Sequence, residues 1–305
     1  MSIRFDDRVA VITGAGNGLG RSHALFLASR GARVVVNDLG GAIDGTGADV
    51  GPAQAVADEI AAAGGEAVAN TDDIAGEDGA KALVGTALER WGRCDIVINN
   101  AGILRDKSFH NMDLDDFKAV VKVHMLGSVR VTHEAWPAMR EQQYGRVLMT
   151  TSAAGLYGNF GQTNYATAKM AVIGLMNALK QEGRKYNITV NTLAPIAGTR
   201  MGGTIFPDEV MPLLRPELVT PAVAYLVSEQ CTDSGRIIAA GAGHYAAVAM
   251  VEGAGVDFDA TTEVSPEMLA EAWAGITDLS AAAPYDEAMA AVQRIFANLS
   301  PGGGG

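Results

Sequence analysis

A short apolar run that ends in a glycine-rich loop restricts the possible folds of this chain more than any other feature. Arg8-Val-Ala-Val-Ile12 is uninterrupted, as in a buried parallel strand, and Thr13-Gly-Ala-Gly-Asn-Gly-Leu-Gly20 follows it directly. Helical spacing of apolar residues begins after the loop and ends at Gly31. This order predicts the first unit of an α/β domain that can hold a phosphate group at the start of its helix.

The alternation of strands and helices continues along the chain. Further strands are predicted at Val34–Val36, Glu66–Ala69, Asp95–Asn99, Arg146–Thr150 and Ile188–Leu193. Amphipathic segments long enough for helices lie between them, as at residues 52–63, 79–91 and 170–185. The pattern predicts a doubly wound, Rossmann-like parallel sheet with right-handed crossovers.

Two segments exceed a minimal dinucleotide-binding domain. Residues 40–51 are rich in Gly and Asp and are predicted to form a loop inserted after the second strand. From residue 246 the pattern changes, with helices predicted to start at Ser265-Pro266 and to span Tyr285–Asn298. We therefore expect one domain over residues 1–245 and a helical extension over 246–305. The extension could pack on a partner subunit or the site, which we favour, or be a loose tail.

Composition narrows the function classes. With 305 residues, 48% hydrophobic and 19% charged, the chain is expected to fold around a sizeable core. Its net charge of −12 argues against nucleic acid or an anionic membrane as a partner. Two cysteines without a CxxC pair predict neither a disulfide framework nor a metal site. A charged N-terminus, the lack of a long apolar run and an ending unlike Ser-Lys-Leu predict a cytoplasmic protein.

The glycine loop and the residue after the second strand predict a NAD site. Gly14, Gly18 and Gly20 follow a strand and open a helix, with the spacing GxxxGxG. A tight turn without a ligand is the alternative interpretation of such a loop. Asp38 ends the second strand, where an acidic side chain accepts hydrogen bonds from ribose hydroxyls and repels a 2′-phosphate. NAD is therefore preferred over NADP.

Other small and polar residues follow neighbouring strands. Asp73-Ile74 comes after the third strand, and Asn99-Asn-Ala-Gly102 ends the fourth. Each pattern also occurs in ordinary turns. Because open α/β sheets bind ligands at the carboxyl ends of their strands, their joint position supports the cofactor site.

A tyrosine and a lysine are spaced for proton transfer. Tyr165 and Lys169 are four residues apart, which places them on one helix face. A nearby cation is expected to lower the pKa of the phenol toward working pH, so that it can exchange a proton with a substrate oxygen. With the glycine loop, this pair predicts nicotinamide-dependent carbonyl and alcohol chemistry.

These motifs, with Ser152 and Pro195, resemble those of the short-chain dehydrogenase/reductase family over about residues 5–245. The resemblance implies that Tyr165 is the acid/base, that Ser152 orients the substrate oxygen, and that Lys169 holds the nicotinamide ribose. Ser152 is chosen from the three hydroxyls of Thr150-Thr-Ser152. The implied cofactor-binding residues are Gly14, Asn17, Gly18, Leu19, Gly20, Asp38, Asp73, Ile74, Asn100, Ala101, Gly102, Tyr165, Lys169, Pro195, Ile196 and Thr199.

One position departs from the family pattern. Where the family often has an asparagine that supports a proton relay through water, this chain has His124. An imidazole can also bridge water and titrates near neutrality, which makes His124 a candidate catalytic residue. The alternative is a histidine that completes helix packing.

Longer stretches resemble one subgroup of the family, the (3R)-hydroxyacyl-CoA dehydrogenase part of peroxisomal multifunctional enzyme type 2. They are residues 36–41, 101–106, 123–124, 155–162 and 194–201. The implied substrate is a (3R)-hydroxyacyl-CoA, which could bear a steroid, or a 17β-hydroxysteroid. Residues 155–162 and 202–211 are expected to line the substrate cleft, the latter as a flap or an ordinary surface loop. Arg105, Lys107 and Arg200 are scattered candidates for the CoA phosphates.

Other interpretations remain at this point. The same scaffold could reduce sugars or small ketones, or bind a cofactor without turnover. Family members usually pair through the helices beside the site, here residues 113–136 and 163–180, so a homodimer or homotetramer is expected. Ala166, Ala168, Ala171 and Gly174 would allow the close approach of two helices.

Overall fold

The computed structural model of the protein describes residues 2–199, 207 and 209–299. Its central element is a sheet of eight strands in the order β3-β2-β1-β4-β5-β6-β7-β8. The first seven pair in parallel. The predicted doubly wound α/β fold is therefore confirmed. The strands are β1 (Val9–Thr13), β2 (Arg33–Asn37), β3 (Glu66–Asn70), β4 (Ile96–Asn99), β5 (Gly145–Thr150), β6 (Ile188–Ile196), β7 (Ile237–Gly241) and β8 (His244–Val248).

Helices connect the strands and continue beyond the sheet. They are α1 (Gly18–Ser29), α2 (Gly51–Ala62), α3 (Glu77–Trp91), α4 (Leu114–Val121), α5 (Gly127–Gln142), α6 (Ala153–Tyr157), α7 (Thr163–Gly183), α8 (Thr220–Leu226), α9 (Pro266–Ile276) and α10 (Ala288–Ala297). A π-helix, Lys122–Leu126, joins α4 to α5 within the helical segment predicted at residues 113–136. This π-helix carries His124 and places its ring against Tyr165.

The core forms where apolar strands meet apolar helix faces. All five residues of β1 are buried, as expected for a central parallel strand covered on both sides. Leu27 of α1, Val56 and Ile60 of α2 and Val223 of α8 pack with the strands in one buried cluster. The burial of this surface is the main force that holds the glycine loop at the edge of the sheet.

β7 and β8 lie outside the six strands that the sequence predicts. β7 reads Ile-Ile-Ala-Ala-Gly, and β8 is mostly exposed or half-buried. Ala242 and Gly243 connect them with φ angles of 49° and 80°. Two residues with positive φ suit a tight hairpin turn. The signal is weak in sequence because both strands are only five residues long and rich in alanine.

The strand order places the site. The order reverses between β1 and β4, whose next strands lie on opposite sides of them. In open α/β sheets, ligands bind outside the carboxyl ends of the strands at such a switch point. The loops after β1 and β4 are the glycine loop and Asn99–Gly102, so both predicted motifs meet there.

The described residues fall into two compact units, one up to Ala247 and one from Val248. In the second unit, α9 begins at Pro266 and Ser265 caps it by accepting from the Met268 N–H at 3.3 Å. α10 begins at Ala288, three residues after the start that the sequence predicts. Within the described parts of the chain, no helix is long and apolar enough to cross a membrane.

Candidate active site

The loops after β1 and β4 are hydrogen-bonded to each other. The Thr13 hydroxyl accepts from the N–H groups of Asn100 and Ala101, each at 3.0 Å. The Asn100 side chain donates to the carbonyls of Thr13 and Gly14, also at 3.0 Å. A Cβ on Gly14 would lie 2.8 Å from the Ala101 Cα, and the φ of Gly14 is +63°. A side chain here would therefore separate the two loops.

Gly18 and Gly20 serve different purposes. Gly18 opens α1 with a φ of +53°, and a Cβ on it would lie 3.1 Å from the Thr199 Cγ2. Asn17 is extended before α1 and makes no side-chain cap, so free N–H groups at the start of the helix face the loop. Gly20 lies inside α1, where a Cβ would collide with the Gly14 carbonyl oxygen. Gly20 thus allows close helix–loop packing and does not line the cleft.

The Asp38 carboxylate is fixed at the end of β2. Its Oδ2 accepts from the Gly16 N–H at 2.8 Å, and its Oδ1 accepts from the Gly40 N–H at 2.7 Å. These two bonds hold the carboxylate beside the glycine loop. Further lone pairs on each oxygen can still accept ribose hydroxyls.

A cleft of about 350 Å³ lies at these loops. Its size is within the range typical of small-molecule sites. The predicted cofactor residues that line it are Gly14, Asn17, Gly18, Leu19, Asp38, Asp73, Ile74, Asn100, Ala101, Gly102 and Thr199. This glycine-walled space with a carboxylate on its wall fits a dinucleotide.

Several predicted residues lie elsewhere or have other contacts. Pro195 and Ile196 end β6, opposite Ala240 and Gly241, and do not line this cleft. The Asp73 Oδ1 accepts from the Ala75 N–H at 2.9 Å, so this carboxylate stabilises its own turn.

The cleft also has walls that sequence reasoning missed. Gly41, Ala42, Ile43 and Gly45 come from the inserted loop, and Leu39 directly precedes it. Ile103, Ala119, Lys122 and Val123 come from the chain after β4, from α4 and from the π-helix, together with Arg105, which the sequence indicated only as a candidate for the CoA phosphates. The Gly- and Asp-rich composition predicts the loop, but nothing in it indicates the surface against which the loop folds.

Ser152, Tyr165 and Lys169 meet where α6 and α7 pack. Ser152 caps α6, its hydroxyl accepts from the Ala154 N–H at 3.2 Å, and its side chain interacts with the Tyr165 phenol. The Lys169 Nζ donates to the Thr150 carbonyl at 2.7 Å and lies 5.6 Å from the centre of the Tyr165 ring. The structure thus brings the three predicted side chains together.

The pKa of Tyr165 shifts in the direction opposite to the prediction. Burial raises the pKa of the phenol, the hydrogen bond with Ser152 lowers it, and the charge of Asp106 raises it further. Burial also lowers the pKa of Lys169 to about 7. The spacing of the pair predicts an effect of charge, but burial of the unliganded site dominates because it disfavours both charged forms.

His124 lies against Tyr165 and is buried, with 2% of its surface exposed. The two rings meet edge to face with their centres 5.1 Å apart. The His124 Nε2 is 2.9 Å from the Ile103 nitrogen and 2.8 Å from the Ile103 oxygen, while Nδ1 has no hydrogen-bond partner among the described residues. Burial and then the charge of Lys169 lower the pKa of His124 well below 6.5. The expectation that it titrates near neutrality is therefore wrong, and this imidazole is neutral.

The structure describes only some of the residues that the sequence predicts to bind CoA or to line the substrate cleft. Arg105 and Lys107 both pair with Asp116, at 3.1 and 3.0 Å. Arg200 and most of the predicted flap at 202–211 lie outside the described residues. In the segment 155–162, Tyr157 and Phe160 expose 73% and 90% of their surface. This segment lies between Ser152 and Tyr165 in the chain and presents two large exposed aromatic side chains.

Comparison with known proteins decides the family. The model of the short chain dehydrogenase family matches residues 8–209. The chain belongs to this family. It is accordingly an oxidoreductase, in agreement with the prediction from the glycine loop and the Tyr165–Lys169 pair.

Individual relatives refine the comparison. A short-chain type dehydrogenase/reductase of Mycobacterium tuberculosis is 53% identical over 90% of this chain and 96% of that protein. Peroxisomal multifunctional enzyme type 2 of Drosophila melanogaster is 45% identical over 99% of this chain and 51% of that protein. The chain thus spans about half the length of the fly enzyme.

Solved structures agree with the sequences. The full-length fly enzyme superposes with a TM-score of 0.80 at 40% identity, covering 97% of this chain and 50% of that one. The predicted resemblance to the type 2 enzyme is thereby confirmed. A 7α-hydroxysteroid dehydrogenase complexed with NADH and 7-oxo glycochenodeoxycholic acid gives a TM-score of 0.71 at 30% identity, covering 79% of this chain and 95% of that one.

Proposed function

We propose that this protein is a NAD-dependent dehydrogenase that oxidises the secondary alcohol of a (3R)-hydroxyacyl-CoA. The observation that carries the proposal is that Tyr165, which interacts with Ser152, packs with Ile103, a residue that lines the glycine-walled cleft. Ser152 and Tyr165 hold the substrate oxygen. As the ketone forms, Tyr165 gives its phenolic proton toward Lys169, whose neutral amine can accept it, and takes up the proton of the alcohol. A bound nicotinamide would accept the hydride from the alcohol carbon.

Lys169 and His124 support the acid/base without touching the substrate carbon. The Lys169 ammonium has a pKa of about 7, so it can pass a proton to or from the site near neutral pH. His124 packs edge-on against the Tyr165 ring and fixes its position. We therefore assign His124 a positioning role through its neutral ring.

NAD is the proposed cofactor because of Asp38. Its carboxylate is held at the end of β2 by two backbone N–H groups. A 2′-phosphate at this place would meet a fixed negative charge, whereas ribose hydroxyls would donate to it. The 7α-hydroxysteroid dehydrogenase of similar fold was solved with NADH, which is consistent with this choice.

Two observations favour an acyl-CoA as the substrate: the relatives of this chain, and the exposed aromatic side chains of Tyr157 and Phe160. The chain matches the type 2 multifunctional enzymes of peroxisomes over nearly its whole length. The exposed Tyr157 and Phe160 can cover an acyl chain or a steroid body. A 17β-hydroxysteroid, alone or as part of a thioester, is the second candidate because a steroid dehydrogenase shares the fold.

The test follows nicotinamide absorbance with NAD and, separately, NADP. The alcohols offered are (3R)-hydroxyacyl-CoA, (3S)-hydroxyacyl-CoA, a 17β-hydroxysteroid and a set of sugars and small alcohols. We expect turnover of the 3R thioester with NAD. In the Tyr165→Phe control, kcat should fall by about 10³-fold because the proton acceptor is lost, while NADH still binds. Turnover of the steroid alone would show that the substrate is a sterol and not an acyl-CoA. Turnover of small alcohols alone would refute the acyl-CoA assignment as well.

A further inference from the structure

The inserted loop, predicted at residues 40–51, spans residues 39–50 in the structure because α2 begins at Gly51, and it is an ordered turn. The Ala42 N–H donates to the Thr46 carbonyl at 2.8 Å, and the Asp49 N–H donates to the Leu39 carbonyl at 3.0 Å. The Asp44 Oδ1 accepts from the Thr46 N–H at 3.0 Å and from its hydroxyl at 2.7 Å. These bonds close the loop on itself, so it can act as one rigid wall.

This loop forms a wall of the cleft next to Asp38. Its Leu39, Gly41, Ala42, Ile43 and Gly45 all line the same space as the glycine loop. Asp38 itself accepts from the Gly40 N–H, so the loop begins at the predicted ribose ligand. The loop therefore borders the end of the cleft that would hold the adenosine half of a dinucleotide.

The loop is attached to the segment after β4, residues 103–107. The Leu104 N–H donates to the Ile43 carbonyl at 2.9 Å. The Arg105 Nε donates to the Asp44 carbonyl at 2.8 Å. Gly45 approaches Ile103 so closely that a Cβ would lie 3.0 Å from the Ile103 Cγ2. Of these contacts, only that of Arg105 is a side-chain hydrogen bond.

Arg105 is itself held by α4. Its Nη1 is 3.1 Å from the Asp116 Oδ1, and the Lys107 Nζ is 3.0 Å from the Asp116 Oδ2. The Arg105 and Asp116 side chains are 28% and 21% exposed, less than the 51% of Lys107. One planar guanidinium thus joins the loop to a carboxylate on a helix through two of its nitrogens, whereas an ammonium would have to make both contacts from one nitrogen.

The same segment is tied to the start of the catalytic helix. The Arg105 carbonyl accepts from the Asn164 side chain at 2.9 Å, one residue before Tyr165. The Asp106 Oδ2 accepts from the Gln162 side chain at 2.6 Å. The Lys107 N–H donates to the Gly161 carbonyl at 2.9 Å. The loop over the cleft and the helix that carries Tyr165 are therefore both attached to residues 103–107.

We propose that Arg105 is a positioning residue that fastens the 39–50 loop over the adenosine half of the cleft and thereby slows the release of the dinucleotide. This inference rests on the proposed function, because it takes NAD as the occupant. Lys107 provides the comparison: it pairs with the same Asp116 but makes no hydrogen bond or ion pair with the loop among the described residues.

The test measures binding, with no turnover involved. Stopped-flow fluorescence gives the dissociation rate constants of NADH from the wild type, Arg105→Ala, Arg105→Lys and the control Lys107→Ala. Loss of the Arg105 bond to the loop should raise the rate about fivefold in Arg105→Ala, the factor expected for one net hydrogen bond. Arg105→Lys should show a smaller increase, and Lys107→Ala should match the wild type. Arg105→Lys keeps the charge and the stem, so it provides the test if the alanine variant does not fold.

Displacement by ADP-ribose and by nicotinamide mononucleotide locates the effect. Arg105→Ala should weaken ADP-ribose about as much as NADH and leave the mononucleotide unchanged. Equal rates in Arg105→Ala and the wild type, or the same increase in Lys107→Ala, would overturn the positioning role while the proposed function stands. If wild-type protein bound neither NADH nor ADP-ribose, the proposed function and this inference would fail together.

Discussion

Lys169 is an almost completely buried lysine. It is 4% exposed, and its ammonium donates to the Thr150 carbonyl at 2.7 Å. No carboxylate pairs with it among the hydrogen bonds and ion pairs of the described residues, and burial lowers its pKa to about 7. A lysine of this kind lowers the stability of the fold at neutral pH. Its presence is therefore better explained by chemistry at Tyr165 than by packing.

Because burial disfavours the protonated form of Lys169, we expect the free energy of unfolding to depend on pH. Between its folded pKa of about 7 and its ordinary value of 10.5, the unfolded chain binds more protons than the folded protein. The free energy of unfolding should therefore rise with pH in this window, by at most about 1.4 kcal/mol per pH unit from this residue. Urea unfolding from pH 7 to 10 should show that Lys169→Met lacks this rise.

The exposed Lys81 on α3 gives the control for that measurement. Lys81→Met removes the same charge at the surface, so its stability should keep the slope of the wild type. Parallel curves for the wild type and Lys169→Met would show that the buried lysine stays protonated throughout the window.

The π-helix between α4 and α5 is the element that brings His124 to the site. Because a π-helix has a wider turn, it changes which residues of the helix face inward. His124 is buried between Ile103 and the Tyr165 ring. Its Nε2 lies within hydrogen-bonding distance of the Ile103 backbone, and its ring meets that of Tyr165 edge to face. A Cβ on Gly102 would collide with the His124 ring. The position of Tyr165 thus depends on a glycine in the loop after β4.

Gly102→Ala tests this dependence. The added methyl must displace the His124 ring, so we expect a loss of about 1–3 kcal/mol of stability. The kcat should fall as well, because the Tyr165 ring loses its support. The control is Gly85→Ala within α3, where the nearest atom to a Cβ is 4.0 Å away. That variant should gain about 0.5–1 kcal/mol through helix propensity. An unchanged melting temperature and kcat in Gly102→Ala would remove His124 from its positioning role.

Prediction from sequence succeeded for elements with local signals and failed where distant packing decides. The glycine loop, Asp38 and the Tyr165–Lys169 spacing follow from short patterns, and the structure places them at one edge of the sheet. The direction of the pKa shift of Tyr165 depends on burial by residues far away in the chain. The packing of the 39–50 loop against residues 103–107 likewise depends on contacts between residues that are about sixty positions apart in the sequence. No local pattern encodes either one.

At the scale of the whole molecule, α7 has one face that is exposed among the described residues. Met170 is 39% exposed, and a Cβ on Gly174 would meet nothing within 4 Å. Thr167 and Ala178 are exposed on the same face, at helical spacing. Ala168, which the sequence places on this face, is instead buried with Ile103 and Val120 because it points into the core. Three of the four exposed residues, Thr167, Gly174 and Ala178, are small, which suits close contact with the same face of a second copy.

Gly174→Arg tests whether this protein forms a homodimer or homotetramer through α7. The arginine fits a single chain because the space around Gly174 is open, so the melting curve should remain cooperative. Across a two-fold contact, two arginines would face each other and separate the copies. We expect light scattering after size exclusion to show a mass reduced by half or more at micromolar concentration. Ala82→Arg on the exposed face of α3 should keep the mass of the wild type. The same mass in all three proteins would mean that α7 is not the contact.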